Sequence, residues 1–327
     1  MTSTMIVTVT LNPSIDRTVT LGTVLTRGAV HRVQSVTSEP GGKGVNVTRA
    51  LTLAGLDSIA LLPAAASDPM VAALHSAGIP FRCVPITDAV RTNLAITEND
   101  GTTTKLNEPG AALDRATLDV LTHSIFDAAE TAAWVVLSGS LPPEVPQRWY
   151  ADVVALLSTY GCRVAVDTSE APLAALASSL DHAAPDLLKP NAEELASLVG
   201  VSAESLENAV AQGDPGPVIS AALDLVGRGV STVLTTLGAA GAVLVNATGA
   251  WLATPPPMIP KSTVGAGDSS LAGYLRAEVG GAEAPRCLQM AVAYGSAAAA
   301  LPGSALPGPD QIDLDAVRVV SIAPNLL

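Results

Sequence analysis

The sequence predicts an α/β fold built on a mostly parallel sheet, and three observations carry that expectation. Short apolar runs recur along the chain, rich in Val, Ile and Thr, as strands buried on both faces are. Segments with helical periodicity lie between them, so strands alternate with crossover helices. Two further stretches alternate polar and apolar residues, the pattern of strands with one wet face.

Taken in order, IVTVTL at 6–11 is the first buried strand, and residues 17–37 then alternate. PGGKGVN at 40–46 heads a helical segment over 43–55, followed by the strand SIALL at 58–62. Residues 90–106 alternate again, and Asn99-Asp100-Gly101 within them is a strong hairpin turn. Both alternating stretches are expected to be antiparallel strands of a small sheet inserted beside the main one. The series continues with the strand 132–139, a helix over 145–160, the strand 163–168, helices over 192–199 and 219–229, and the strand 231–238. Those three helices end near Gly161, Gly200 and Gly229, natural C-caps. Three prolines at 255–257 form a stiff connector before a helix over 268–279. The whole of 1–327 reads as one domain, with lid strands inserted at about 17–37 and 90–106.

Composition narrows the function. The chain of 327 residues carries 17 Lys and Arg against 30 Asp and Glu, a net charge of −13. That balance argues against a nucleic-acid groove built on general positive charge. Apolar residues make up 48 % and exclude wholesale disorder. Cys83, Cys162 and Cys287 are far apart and odd in number, with neither metal spacing nor a disulfide framework. Reduced thiols in a cytoplasm are the expectation. No basic segment precedes the first apolar run, so no signal peptide is expected. The stretch around 290–301 is too short and Ala-rich for a membrane span.

Five motifs carry chemistry. GGKG at 41–44 opens a helix, where free N–H groups and the positive dipole end suit an anion and Lys43 adds a full charge. A glycine-rich cap would look the same. STVGAGDS at 262–269 should present successive N–H groups as an anion nest, with Asp268 in the first helical turn. That acid serves equally as a cap or as a general base. KPNAEE at 189–194 has Asn191 as N-cap and Glu194 completing a capping box, or both facing a cleft to organise a hydrated Mg²⁺. TLGAAG at 236–241 is a plain turn or a flat floor under a nucleotide, and SGSLP at 138–142 lies at a strand end, where ligands of open α/β sheets sit. No GxxxxGK[ST] occurs, and no glycine fingerprint follows a long strand. Lys43, Lys105, Lys189 and Lys261 are the four lysines, all in or beside these motifs or the lid strands.

LNPSID near the start, GGKGVN, SGSLP, KPN..E, TLGAAG and STVGAGDS together resemble the PfkB branch of the ribokinase-like sugar kinases, in order and spacing over nearly the whole chain. The resemblance implies a three-layer α/β/α sandwich with a mostly parallel central sheet and a small β-sheet lid. It implies that Asp268 is the base, with the N–H groups of Gly265, Ala266 and Gly267 holding the charge of the transferring phosphoryl group. Asp16 and Asn46 would bind sugar hydroxyls, and Lys43 and Arg91 the substrate phosphate. Gly42, Asn107 and Ser140 would complete the sugar site. Lys189, Thr236, Gly238 and Gly241 would border ATP, and Asn191 with Glu194 would serve Mg²⁺. The implied activity is phosphorylation of a sugar phosphate, fructose 1-phosphate at its 6-hydroxyl, with tagatose 6-phosphate and fructose 6-phosphate as alternatives. A homodimer joined through the lids, with no nucleic-acid or membrane partner, goes with it. Residues 61–68 depart from the pattern, since many members carry glycines there. A kinase of uncharged substrates is disfavoured by Lys43 with Arg91, and a non-catalytic sugar-phosphate sensor by the intact Asp268.

Overall fold

The computed structural model describes residues 4–322. In chain order its strands are β1 (Ile6–Val9), β2 (Ser14–Leu21), β3 (Val33–Gly41), β4 (Ser58–Pro63), β5 (Phe81–Val84), β6 (Arg91–Thr97) and β7 (Thr103–Asn107). They continue as β8 (Trp134–Ser138), β9 (Arg163–Asp167), β10 (Leu187–Leu188), β11 (Thr232–Thr236), β12 (Ala242–Asn246), β13 (Gly249–Thr254) and β14 (Arg318–Ile322). The main sheet runs β14-β13-β12-β11-β10-β9-β8-β1-β4-β5. It is parallel from β11 to β5, and β12, β13 and β14 are antiparallel at one end.

Strand periodicity explains the layers. Ile6, Trp134 and Val136 face one core, while Val7, Val9, Val135 and Leu137 face the other. Side chains two apart share a face, so an unbroken apolar run needs cover on both sides. Helices Lys43–Leu53, Ala266–Val279 and Ala284–Ala299 cover the first face through Leu51, Leu271 and Leu288. Helices Arg115–Ala129, Trp149–Leu157, Ala192–Val199 and Gly216–Gly227 cover the second through Leu121, Tyr150, Leu195 and Leu225. Each fully buried aliphatic side chain contributes about 1.5–3 kcal/mol relative to exposure.

The small sheet runs β3-β2-β6-β7. It differs from the antiparallel expectation, because β2 and β6 pair in parallel. Both strands follow parallel strands of the main sheet that flank β4, β2 following β1 and β6 following β5, so both leave in one direction. Its strands also reach closer to the main sheet than expected, starting at Ser14 and ending at Gly41. The hairpin at Gly101 (φ 90°) joins β6 to β7 as predicted. Gly200 is a left-handed C-cap (φ 73°), but the helix expected to reach Gly161 ends at Leu157 with Ser158 as its cap. In the divergent stretch 61–68, the Asp68 carboxylate accepts from Met70 and Val90 N–H at 2.8 and 2.9 Å, tying that loop to the root of β6. Among the described residues no helix is long and apolar enough to cross a membrane.

Candidate active site

Polar residues that follow the apolar runs gather at the carboxyl ends of β1, β8, β9 and β10, beneath the small sheet. Asp268 is 7 % exposed and lies in the first turn of helix Ala266–Val279. That helix begins at Gly265 in the left-handed conformation (φ 75°), and no side chain caps it. Its first N–H groups are therefore left to a ligand, although Ala266 N–H makes a long bond to Thr263 O (3.4 Å). Asn46 Nδ2 donates to Asp268 Oδ2 at 2.9 Å. Asn46 Oδ1 is buried and unpartnered, an acceptor left without a donor. Burial is the largest influence on Asp268 and pushes it up to about 6, helped by Asp167 and opposed by Lys43, Asn46 and Lys189.

Lys43 and Lys189 converge on Asp167, a carboxylate that sequence reasoning missed. Lys43 Nζ lies 2.6 Å from Asp167 Oδ1, and Lys189 Nζ lies 3.0 Å from Oδ2. Burial works to raise Asp167, but Lys189 and Lys43 outweigh it and hold the carboxyl below its ordinary range. Burial likewise works against Lys43, yet Asp167 and Asp268 raise it above the usual ammonium value. Asp167 ends the apolar strand RVAVD, and an acid at the carboxyl end of a buried strand was the available signal.

The glycines of GGKG have packing reasons of their own. A Cβ at Gly41 would lie 2.3 Å from Asp16 Oδ2, one at Gly42 2.8 Å from Thr10 Cγ2, and one at Gly44 2.5 Å from Thr10 Oγ1. Gly42 also sits at φ 108°. Asp16 is held against this turn: its Oδ1 accepts from Ser14 Oγ (2.7 Å) and Asn93 Nδ2 (3.0 Å). Asn93 was not foreseen; it stands opposite Asp16 in the register of β2 and β6. Arg91 shares that face, opposite Ser14, with Nη1 on Glu108 O (3.1 Å) and Nε buried without a partner. Burial lowers its pKa, against the pull of Asp16 and Glu108. Asn107 stands opposite Asn93 and is exposed at the end of β7. Ser140 is exposed, and its Oγ accepts from Asn12 Nδ2 (3.1 Å).

At the end of β11, Thr236 N–H donates to Pro190 O (3.0 Å), and Thr236 bridges Asn191. Gly238 opens a short 3₁₀ turn with φ 57°. Gly241 is required by its hairpin, since a Cβ there would lie 1.9 Å from Ala253 O. Asn191 and Glu194 form the capping box, with Asn191 Oδ1 accepting from Glu194 N–H (2.8 Å) and Glu194 Oε2 from Asn191 N–H (2.9 Å). Glu194 keeps one oxygen free, and burial raises its pKa. Among the described residues no group of three or more His, Cys, Asp and Glu could hold a metal. One free carboxylate oxygen fits a hydrated Mg²⁺ carried on phosphates, not an ion caged by protein.

Known proteins resemble this chain over most of its length. Residues 9–311 match the family described as pfkB family carbohydrate kinase. The chain is 36 % identical over 292 residues to a 1-phosphofructokinase of Xanthomonas campestris pv. campestris, covering 88 % of this chain and 89 % of the relative. It is 37 % identical over 311 residues to a 1-phosphofructokinase of Rhodobacter capsulatus, covering 94 % of each. The crystal structure of phosphofructokinase-2 from Escherichia coli, in complex with substrates and products, superposes with a TM-score of 0.84 at 30 % identity, over 94 % of this chain and 96 % of that one.

Proposed function

We propose that this chain, which belongs to the pfkB family of carbohydrate kinases, transfers the γ-phosphoryl group of ATP to the 6-hydroxyl of fructose 1-phosphate, giving fructose 1,6-bisphosphate and ADP. One observation carries the kinase reading: a buried carboxylate, Asp268, in the first turn of an uncapped helix, with two lysines acting on it. A base whose pKa of about 6 lies just below neutrality is mostly ionised at pH 7 and still accepts a proton readily. The 6-hydroxyl gives its proton to Asp268 as the sugar oxygen attacks phosphorus. Helix N–H groups at 265–267 receive the charge that develops on the phosphoryl oxygens. Asp16, Asn46 and Asn93 orient the sugar, and Arg91 meets its phosphate. Glu194 would hold Mg²⁺ through water, and the ion would neutralise phosphate charge.

The choice of fructose 1-phosphate is supported by the two 1-phosphofructokinase relatives. The likeness to phosphofructokinase-2 favours fructose 6-phosphate as the second reading. ADP release with fructose 1-phosphate, fructose 6-phosphate, tagatose 6-phosphate and ribose, measured side by side, decides. We expect fructose 1-phosphate to lead fructose 6-phosphate by at least about 100-fold in kcat/KM, since a phosphate displaced from its buried cation costs about 2–5 kcal/mol and about 1.4 kcal/mol is tenfold in rate. Equal values would move the assignment to a 6-phosphate kinase.

The homodimer belongs to the same reading. The lid face away from Asp16 carries Val19, Leu94 and Leu106 around a groove of about 620 Å³, and Leu106 is 56 % exposed. Pairing with a second lid would cover these three apolar side chains, which share the groove with Arg17, Thr92, Asn107 and Glu108.

A further inference from the structure

Asp167 closes β9 on the cleft side, and its side chain is fully buried. Such a carboxylate is tolerated because two ammonium groups face it, one per oxygen. The end of β9 is also clamped. Gly139 N–H donates to Asp167 O (2.9 Å), and Gly139 O accepts from the hydroxyls of Tyr150 and Thr168 (both 2.9 Å). The two lysines come from different elements. Lys43 starts the helix that presents Asn46 to Asp268. Lys189 precedes the Asn191 cap and overhangs the anion nest, where a Cβ on Gly267 would sit 3.4 Å from its Nζ.

This placement bears on what Lys43 can reach. Held by Asp167, Lys43 stands close enough to Asp268 for the two charges to act on each other, and about a third of its side chain (34 %) is exposed. A sugar phosphate whose reacting hydroxyl meets Asp268 carries its own phosphate at the other end of the carbon chain, toward the lid. Arg91 stands there, with an unpartnered buried Nε. From this juxtaposition we propose that Asp167 is a positioning residue that holds Lys43 and Lys189 as a cation pair on the phosphoryl group in transfer, leaving Arg91 to the substrate's own phosphate. This revises the expectation that Lys43 binds the substrate phosphate, and it rests on the kinase reading above. The chemistry balances without the lysines: the bond from the γ-phosphorus to the ADP oxygen breaks, the bond to the sugar oxygen forms, and the hydroxyl proton passes to Asp268. The lysines and Asp167 only neutralise and place charge.

The test is a split between kcat and KM in the full-length enzyme. Lys43→Met is the primary variant, because its side chain is partly exposed and its loss leaves Asp167 paired with Lys189. It should lower kcat by about 10²–10³-fold, the usual loss for one preorganised charge or donor at a transferring group, with KM for the sugar phosphate within about threefold. Arg91→Ala should do the opposite and raise that KM at least about tenfold. Asp167→Asn should reproduce the kcat loss of Lys43→Met. A rise in sugar-phosphate KM that exceeds the kcat loss in Lys43→Met overturns the proposal, as does a folded Asp167→Asn enzyme with kcat within threefold of the parent. If Asp167→Asn does not fold, Lys43→Met alone decides. Failure of the kinase reading is distinct: the unmodified enzyme would release no ADP with any of the four sugars.

Discussion

Asp268→Asn should weaken catalysis and strengthen the fold at once. Asn keeps the shape and can still accept from Asn46, but it cannot take the hydroxyl proton. Loss of a general base costs about 10²–10⁴-fold in kcat, or roughly 3–5 kcal/mol of transition-state stabilisation. Stability moves the other way. Burial lifts the folded-state pKa of Asp268 from 3.8 to about 6. A group raised on folding favours the protein below its unfolded pKa and loses that advantage as pH rises through the folded one. The window is therefore about pH 4 to 6, and above it the ionised carboxylate destabilises the empty enzyme by up to about 3 kcal/mol, at about 1.4 kcal/mol per tenfold in proton affinity. The variant should show a Tm a few degrees above the parent at pH 7.5, with the advantage gone near pH 4. Calorimetry at the two pH values and a coupled ADP assay read both effects. A variant that keeps more than about a tenth of the parent kcat, or melts below the parent at pH 7.5, would refute the reasoning.

Two further outcomes are expected. The acid limb of kcat/KM should fall near pH 6, because protonated Asp268 is no longer the basic carboxylate that takes the hydroxyl proton, and Asn46→Leu should move that limb to higher pH by removing the hydrogen bond that favours the charged form; a pH–rate profile that moves downward would count against this. Sedimentation velocity at micromolar concentration should show a dimer, and Leu106→Asp on the exposed lid face should shift it toward monomer while leaving the helical circular dichroism unchanged.

The layers of the fold were legible because burial on both faces leaves a mark within a few neighbouring residues. IVTV, WVVLS and RVAVD are apolar throughout, or nearly so, and each became a parallel strand. The pairing of β2 with β6 was not legible. Their parallel sense follows from which main-sheet strand each one leaves, a relation between segments about 80 residues apart in the chain that no local pattern records. Helix ends followed the same logic. Gly200 could be read as a cap because the helix before it ends in a left-handed residue, whereas Gly161 lies beyond a helix that had already stopped.

The site divides along the same line. Asp268 was legible because its own neighbours, Gly265 to Gly267, are the glycine-rich turn that opens its helix. Asp167 was not, because its meaning comes from Lys43, 124 positions before it, and from Lys189. Gly41 shows how far a local reading goes. A glycine pair before a helix signals close approach, and close approach is what the fold uses, but the group that approaches Gly41 is the carboxylate of Asp16. The turn is shaped to seat the residue that would orient the sugar, so the same glycine is structural by contact and functional by consequence. Overpacking a tight site costs about 1–3 kcal/mol. A methyl group at Gly41 would have to displace either Asp16 or β3, and under the proposed function a displaced Asp16 would no longer align the sugar.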